Sequence, residues 1–172
     1  MKNNFLIIGL GSMGKRRIRC LRKISDEFII YGYEINKGRA NEVSKEYNII
    51  LITELKKIKN LKLHSILICT SPESHYDYIE LALENKINVF IEAGVENFKH
   101  QNYIKESKFK NIIVAPSCTM LYHPAIKEIK RIKKNNLLGK FLNMTYCSGQ
   151  YLPDWHPYEK VSDYYVSKKN TG

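Results

Sequence analysis

A G-x-G-x-x-G pattern follows directly on a short apolar run near the start of the chain. Residues 5–14 read F-L-I-I-G-L-G-S-M-G. Residues 15–24 then place apolar side chains at helical spacing among basic ones, so the glycines lie in a strand–turn–helix unit. This context makes the pattern typical of a dinucleotide-binding turn, whereas the glycines alone are a weak signal.

Each glycine of the pattern has a separate physical reason. Gly9 permits a tight turn out of the strand. Gly11 lets the backbone approach a pyrophosphate, and Gly14 lets the helix pack closely on the sheet. The first turn of the helix then offers free N–H groups and a positive dipole end to phosphates. We therefore expect the phosphates of a dinucleotide to bind at this turn.

A second, independent signal is Glu34, which ends the next strand-like run and lies twenty positions beyond Gly14. A dinucleotide-binding fold places a carboxylate about there to accept hydrogen bonds from the adenosine ribose. The same carboxylate repels a 2′-phosphate, which favours NAD over NADP. The alternative interpretation is a glycine-containing turn followed by a surface glutamate, and the combination of strand, helix and Glu34 makes that alternative the weaker one.

Short apolar runs alternate with amphipathic segments through most of the chain. This alternation predicts an α/β fold with a doubly wound parallel sheet, covered by helices on both faces. Ligands of such sheets bind beyond the carboxyl ends of the strands. The site is therefore expected to use the loops that begin at Gly9, Glu34, Thr70, Glu92 and Ala115. The predicted strands after the first cover residues 28–34, 48–52, 65–70, 88–92 and 111–115, and the predicted helices cover residues 15–24, 36–47, 53–59, 73–86 and 97–109.

The pattern changes from Pro124 onward. It predicts a dinucleotide-binding Rossmann domain in residues 1–120 and the start of an α+β substrate and dimerisation domain in residues 121–172. Residues 125–134 repeat isoleucines on one helical face. Residues 140–151 alternate with period two, as a strand does, and residues 151–158 form an aromatic, proline-containing loop. One helix and one strand cannot bury their own apolar faces, so this second domain is expected to be truncated and incomplete.

The chain of 172 residues carries a formal net charge of +11. The excess comes mainly from lysines spread over the predicted helices, so we expect no nucleic-acid partner, only an attraction for phosphate-bearing cofactors. The apolar run at the N-terminus is too short to span a membrane, and no cleavage site follows it, which predicts a cytoplasmic protein. The four cysteines are far apart and form no C-x-x-C pair, so we expect neither a metal site nor a disulfide framework.

Several segments together resemble the Gfo/Idh/MocA oxidoreductases, the family of glucose–fructose oxidoreductase and inositol dehydrogenase. The likeness is carried by Glu34 and by four motifs: G-L-G-S-M-G-K-R-R at residues 9–17, C-T-S-P-E-S-H-Y at residues 69–76, V-F-I-E at residues 89–92 and Y-H-P at residues 122–124. It spans nearly the whole chain but only the front part of a typical member, in which a larger open-sheet domain follows the Rossmann domain. The resemblance implies NAD-dependent oxidation of a sugar or sugar-nucleotide hydroxyl by a homo-oligomer. Residues 151–158 are similar to members that serve bacterial surface-sugar synthesis.

Carried over position by position, the resemblance implies a set of cofactor-binding residues. The pyrophosphate would be held by Gly9, Gly11, Ser12, Met13 and Gly14. Glu34 would hold the adenosine ribose, and the loop under the nicotinamide would be lined by Thr70, Pro72 and His75. Glu92 begins a strand-end motif that reads E-K-P in the family. The lysine of that motif orients cofactor and substrate and takes part in proton transfer at the oxidised hydroxyl.

The sequence departs from the family at the residues that carry the chemistry. Glu92 is followed by Ala93 and Gly94, so both the lysine and the proline are absent. The downstream acid–base pair of the family has no counterpart before Gly172. No catalytic residue is assigned, and His75 is the candidate. Two functions stay open: an NAD-dependent oxidoreductase, or a non-catalytic dinucleotide-binding module, including a decayed and truncated oxidoreductase.

Overall fold

The computed structural model describes residues 3–94, 100–147, 149, 151–155, 157, 160–163 and 167. The chain divides into two compact units, Met1–Ser117 and Cys118–Gly172. The described part of the first unit is a sheet flanked by helices. The described part of the second unit contains short helices and irregular chain.

The described part of the first unit has six strands and four α-helices. The strands are β1 (Asn4–Ile8), β2 (Ile29–Tyr33), β3 (Ile50–Leu51), β4 (Ser65–Ile68), β5 (Asn88–Ile91) and β6 (Val114–Pro116). The helices are α1 (Ser12–Ile24), α2 (Lys37–Tyr47), α3 (His75–Glu84) and α4 (His100–Lys110). Two 3₁₀-helices, Leu55–Leu61 and Pro72–Ser74, precede β4 and α3 respectively.

All six strands are parallel, and they lie in the order β3-β2-β1-β4-β5-β6. In this sheet Ile8 of β1 pairs with Tyr33 of β2 on one side and with Ile68 of β4 on the other. The chain runs outward from β1 through β2 and β3 and then returns to β4 on the far side, so the switch point lies between β1 and β4. This topology confirms the predicted doubly wound parallel sheet of a Rossmann fold.

Strand β1 supplies the core on both faces of the sheet. Leu6 and Ile8 belong to one buried cluster, and Phe5 and Ile7 belong to another. Successive side chains of a strand point to opposite faces, so a strand that is apolar throughout needs a cover on both sides. Helix α3 contributes to the first cluster, whereas α1 and α2 contribute to the second.

Some helices differ locally from the predicted ones. Helix α1 begins at Ser12, three positions before the predicted start, because the glycine turn leads into it directly. The predicted helix over residues 53–59 is the 3₁₀-helix Leu55–Leu61, and the predicted helix over residues 73–86 begins with the 3₁₀-helix Pro72–Ser74. Residues 97–99 of the fourth predicted helix lie outside the described residues.

The second unit contains α5 (Pro124–Lys134), α6 (Leu152–Trp155) and the 3₁₀-helices Thr119–Tyr122 and Val161–Asp163. The predicted helix over residues 125–134 is confirmed. The predicted strand over residues 140–151 is wrong for residues 140–147, 149 and 151, none of which lies in a strand, and residues 148 and 150 lie outside the described part. A strand needs a neighbour to satisfy its backbone groups, and the described part of this unit offers none.

The predicted aromatic loop over residues 151–158 is helical at α6, while residues 156 and 158 lie outside the described part. Within the described ranges, every helix is too short or too polar to serve as a membrane span.

Candidate functional site

The turn after β1 depends on Gly9. This residue has a φ of +87°, a left-handed conformation that glycine adopts without strain. Its N–H donates to the carbonyl oxygen of Tyr33 at 2.9 Å, which ties the turn to the end of β2. A Cβ atom at Gly9 would lie 2.8 Å from the carbonyl oxygen of Cys69, the residue that follows β4. Glycine is therefore required at this position both for its conformation and for space.

Gly11 and Gly14 have opposite surroundings. A Cβ atom at Gly14 would lie 2.1 Å from the carbonyl oxygen of Gly9, so the close approach of α1 to the turn depends on glycine. Among the described residues, a Cβ atom at Gly11 would meet no atom within 4 Å. Gly11 is also the N-cap residue of α1. In the described part of the chain no side chain caps the first turn, which begins with the exposed Ser12 and the partly buried Met13. The open space and the uncapped N–H groups together fit an anionic group such as a pyrophosphate.

The carboxylate of Glu34 lies beside this turn. Its Oε2 atom accepts a hydrogen bond from the N–H of Leu10 at 2.9 Å, and its Oε1 atom accepts one from the N–H of Asn36 at 3.0 Å. Arg39 Nη1 lies 3.5 Å from the same Oε2 atom. Each carboxylate oxygen can accept more than one hydrogen bond. The arrangement therefore fits a carboxylate that also receives a ribose hydroxyl next to bound phosphates.

The loop between β4 and α3 lies against the glycine turn. A Cβ atom at Gly9 would be 2.9 Å from Cγ2 of Thr70, so the two segments are in direct contact. The hydroxyl of Ser74 lies 2.8 Å from the hydroxyl of Thr70, and Pro72 is buried at the start of its 3₁₀-helix. These contacts bring the residues predicted from β4 together with those predicted from β1.

His75 is fully buried, with an exposed fraction of 0%. Its Nε2 atom lies 3.0 Å from the carbonyl oxygen of Thr70 and must donate the hydrogen bond, so Nδ1 is the unprotonated nitrogen of the neutral ring. Within the described part of the chain, this buried Nδ1 atom has no hydrogen-bond partner. Burial lowers the pKa of His75 below its ordinary value, although the hydrogen bond to Thr70 opposes the shift. The geometry gives His75 a role in holding the loop rather than an exposed acid–base position.

Glu92 forms a buried ion pair that was not predicted from the sequence. Its carboxylate accepts a hydrogen bond from Nε of Arg17 in α1, and the two side chains are 9% and 17% exposed. The guanidinium carbon also lies 4.8 Å from the ring centroid of Phe90. Burial opposes the charge on Arg17, but the hydrogen bond to Glu92 raises the pKa overall. The spacing from Gly14 to Arg17 and Ile18 places Arg17 on the inward face of α1, since helical positions three and four apart share a face, but it does not identify Glu92 as the partner.

The residues after Glu92 form a backbone that differs from an E-K-P motif. Ala93 is exposed, and its methyl side chain cannot take or give a proton. Gly94 has a φ of +96°, whereas proline is fixed near −65°. A Cβ atom at Gly94 would also lie 2.6 Å from Cγ of Pro72. The departure from the family motif is therefore a change of backbone conformation as well as the loss of a lysine.

The cysteines are free thiols. Burial, reinforced by the carboxylate of Glu92, raises the pKa of Cys69 to about 12, so this thiol stays protonated at neutral pH. Across the described residues, no group of three or more His, Cys, Asp and Glu side chains is placed to hold a metal ion.

A sequence profile of an oxidoreductase family with an NAD-binding Rossmann fold matches residues 3–95, more than half of the chain. The structure is similar to that of myo-inositol 2-dehydrogenase from Lactobacillus plantarum, with a TM-score of 0.71 and 21% identity, covering 81% of this chain and 43% of that one. It is similar to scyllo-inositol dehydrogenase from Lactobacillus casei with bound NAD(H) and scyllo-inositol, with a TM-score of 0.71, 14% identity and the same two coverages, 81% and 43%. A third similar structure is UDP-N-acetylglucosamine 3-dehydrogenase from Acidithiobacillus ferrooxidans, with a TM-score of 0.66 and 19% identity over 76% of this chain and 43% of that one.

At these identities the solved structures show a shared fold. The chain spans less than half the length of each of these three proteins. No curated protein matches the chain significantly. The matched profile nevertheless covers the glycine turn, Glu34, the loop after β4 and Glu92, which are the segments that the structure brings together. The chain belongs to the Gfo/Idh/MocA family of oxidoreductases, and NAD is the cofactor of their Rossmann fold.

Proposed function

We propose that this chain is the cofactor-binding part of an NAD-dependent oxidoreductase that acts on a hydroxyl group of a sugar or sugar nucleotide. The observation that carries the proposal is the direct hydrogen bond between the glycine turn and Glu34, from the N–H of Leu10 to Oε2 at 2.9 Å. The start of α1 and the Glu34 carboxylate therefore lie side by side, which supports their proposed roles in binding phosphate and ribose. The similarity to two inositol dehydrogenases and a sugar-nucleotide dehydrogenase supports the substrate class.

In this proposal the two halves of the cofactor bind on opposite sides of the switch point. Backbone N–H groups at Gly11, Ser12 and Met13 would bind the pyrophosphate, and the Glu34 carboxylate would accept hydrogen bonds from the adenosine ribose. The loop from Thr70 to His75 and the end of β5 would then face the nicotinamide half. Bound NAD supplies the hydride acceptor for oxidation of the hydroxyl group.

A second candidate function is a non-catalytic dinucleotide-binding module. The observation that favours it concerns the described residues at the end of β5: Ala93 cannot serve as a proton acceptor, the Glu92 carboxylate is engaged by Arg17, and Gly94 changes the backbone. The enclosed ring of His75 does not supply that acceptor. Both candidates bind NAD, and they differ in whether the hydroxyl proton is transferred. A place in surface-glycan synthesis, a homo-oligomeric state and a cytoplasmic location are narrower parts of the first proposal.

The proposal predicts that the chain binds NADH about tenfold or more tightly than NADPH, because the Glu34 carboxylate opposes a 2′-phosphate. Glu34→Ala should remove this preference. It also frees Arg39, which lies 3.5 Å from the carboxylate, to pair with the 2′-phosphate. Calorimetric titration with both cofactors measures the preference.

The matched control is Glu27→Ala. This exposed glutamate precedes β2, at the amino ends of the strands, so the variant should keep the wild-type preference. Glu34→Gln separates charge from hydrogen bonding, since glutamine keeps an acceptor for the N–H of Leu10. Equal affinities in the wild type, or an unchanged preference in Glu34→Ala, would contradict the assignment of Glu34.

A further inference from the structure

The ion pair between Arg17 and Glu92 joins the helix behind the glycine turn to the carboxyl end of β5. The two side chains are 17% and 9% exposed, so both charges are largely withdrawn from water. Charges of this kind are costly to bury and are strongly felt by nearby groups, because little solvent screens them. The packing of the guanidinium on the ring of Phe90 fixes the position of the positive charge.

The pair lies at the edge of the sheet where the second half of a dinucleotide is expected. Glu34 assigns the adenosine half to the end of β2, on one side of the switch point. A dinucleotide that crosses the switch point places its other half beyond β4 and β5. Glu92 directly follows β5, and its N–H donates to the carbonyl oxygen of Ile68 at the end of β4, at 3.0 Å. The inference therefore rests on the proposed function and refines it.

The nicotinamide ring carries a positive charge when it is oxidised and none when it is reduced. An unpaired carboxylate near this ring favours the oxidised cofactor, and an unpaired guanidinium favours the reduced one. Among the described residues, the other titratable groups that interact with the charge of Glu92 are Cys69 and His75. Burial raises the pKa of the Cys69 thiol and lowers that of His75, so both groups are neutral at neutral pH. Arg17 is then the counter-charge of Glu92 at this edge of the described sheet.

We propose that the Arg17–Glu92 ion pair sets the relative affinity of this protein for the oxidised and the reduced cofactor. With both charges present, the pair carries no net charge and would favour neither redox form of the nicotinamide. Removal of one partner leaves a single buried charge and shifts the balance. The shifts have opposite signs for the two partners, which a purely structural role of the pair does not produce.

The test measures dissociation constants for NAD⁺ and NADH by calorimetry in the full 172-residue chain at neutral pH. The measured quantity is the dissociation constant of NADH divided by that of NAD⁺. Arg17→Gln should raise this ratio about threefold to tenfold, and Glu92→Gln should lower it by a similar factor. The double variant, with two neutral side chains, should return the ratio to within about twofold of the wild type.

Arg17→Lys is the matched control, because it keeps the charge while losing the planar stacking on Phe90. It should lower thermal stability and leave the ratio of the two dissociation constants close to the wild-type value. If Arg17→Gln fails to fold by far-ultraviolet circular dichroism, Glu92→Gln and the double variant still carry the test. A ratio that stays at the wild-type value in the folded single variants would overturn the proposal. Failure of the wild type to bind either form would instead overturn the proposed function, so the two failures are distinguishable.

Discussion

Gly11→Val is expected to abolish NADH binding while the first unit keeps its fold. A Cβ atom at Gly11 meets no atom of the described residues within 4 Å, so the new side chain enters the open space in front of α1. The backbone there has a φ of −71° and a ψ of −161°, which a β-branched residue adopts readily. The loss of a glycine N-cap costs at most about 1 kcal/mol of stability. The same side chain fills the volume assigned to the pyrophosphate, and we expect affinity to fall by about 100-fold or more.

The matched variant for this prediction is Gly14→Ala, in which a smaller side chain should lower the stability of the fold. A Cβ atom at Gly14 lies 2.1 Å from the backbone carbonyl oxygen of Gly9, so α1 must move away from the turn. We expect a loss of about 3 kcal/mol and a fall in melting temperature of about 10 °C. Gly38→Ala in α2 is the control, since its nearest neighbour is a side-chain oxygen at 3.3 Å and alanine favours helix.

Thermal melting and NADH titration of these three variants separate fold from cofactor binding. Native-like NADH affinity in a folded Gly11→Val protein would show that the phosphate-binding loop lies elsewhere. A Gly14→Ala protein as stable as the wild type would contradict the packing described between α1 and the turn.

The 172-residue chain is expected to show no appreciable sugar dehydrogenase turnover, even where it binds cofactor. Oxidation of a hydroxyl group needs a side chain to take the proton, and the position of the family lysine is Ala93. The loss of a general base typically lowers the rate by about 10²–10⁴-fold. The described part of the second unit adds no strand to shape a substrate wall, which weakens substrate positioning as well.

The measurement is NADH absorbance with NAD⁺ and a panel of sugars, inositols and sugar nucleotides. Ala93→Lys is the informative variant, because it supplies an amine but leaves Gly94 and its backbone unchanged. We expect it to stay inactive. Position 94 keeps a φ of +96°, which proline cannot adopt, so the backbone of the E-K-P motif is not restored around the new lysine. Robust turnover by the wild type would contradict this account. Turnover gained by Ala93→Lys would show that the missing amine was the whole defect.

The parallel sheet was predictable from the sequence because residues 5–8 of β1 are all apolar. Such a run implies a parallel sheet with two covered faces, and the alternation with helical segments then fixes the fold class. The approach of Glu34 to the glycine turn was predictable from its distance along the chain to Gly14. The hydrogen bonds that this carboxylate accepts follow from that spacing.

The contacts between distant elements were not predictable in the same way. The pairing of Arg17 with Glu92 joins residues that are 75 positions apart, and neither the spacing nor the charge of either residue singles out the other. The burial of His75 likewise depends on how α3 packs, because its sequence position at a helix start is compatible with an exposed side chain. The period-two pattern of residues 140–151 wrongly predicted a strand. Side-chain alternation says nothing about whether a partner strand is present to satisfy the backbone groups.

The most direct test of the account is hydrogen exchange of the wild-type chain with and without saturating NADH. If the cofactor lies along the carboxyl edge of the sheet, amides in residues 9–15, 34–36 and 70–75 should exchange more slowly when NADH is bound. The exchange rates of amides in residues 59–64 and 84–87, at the amino ends of the strands, should be unchanged. Protection at the amino ends of the strands, or no protection at residues 9–15 with NADH bound, would contradict the assignment of the cofactor site.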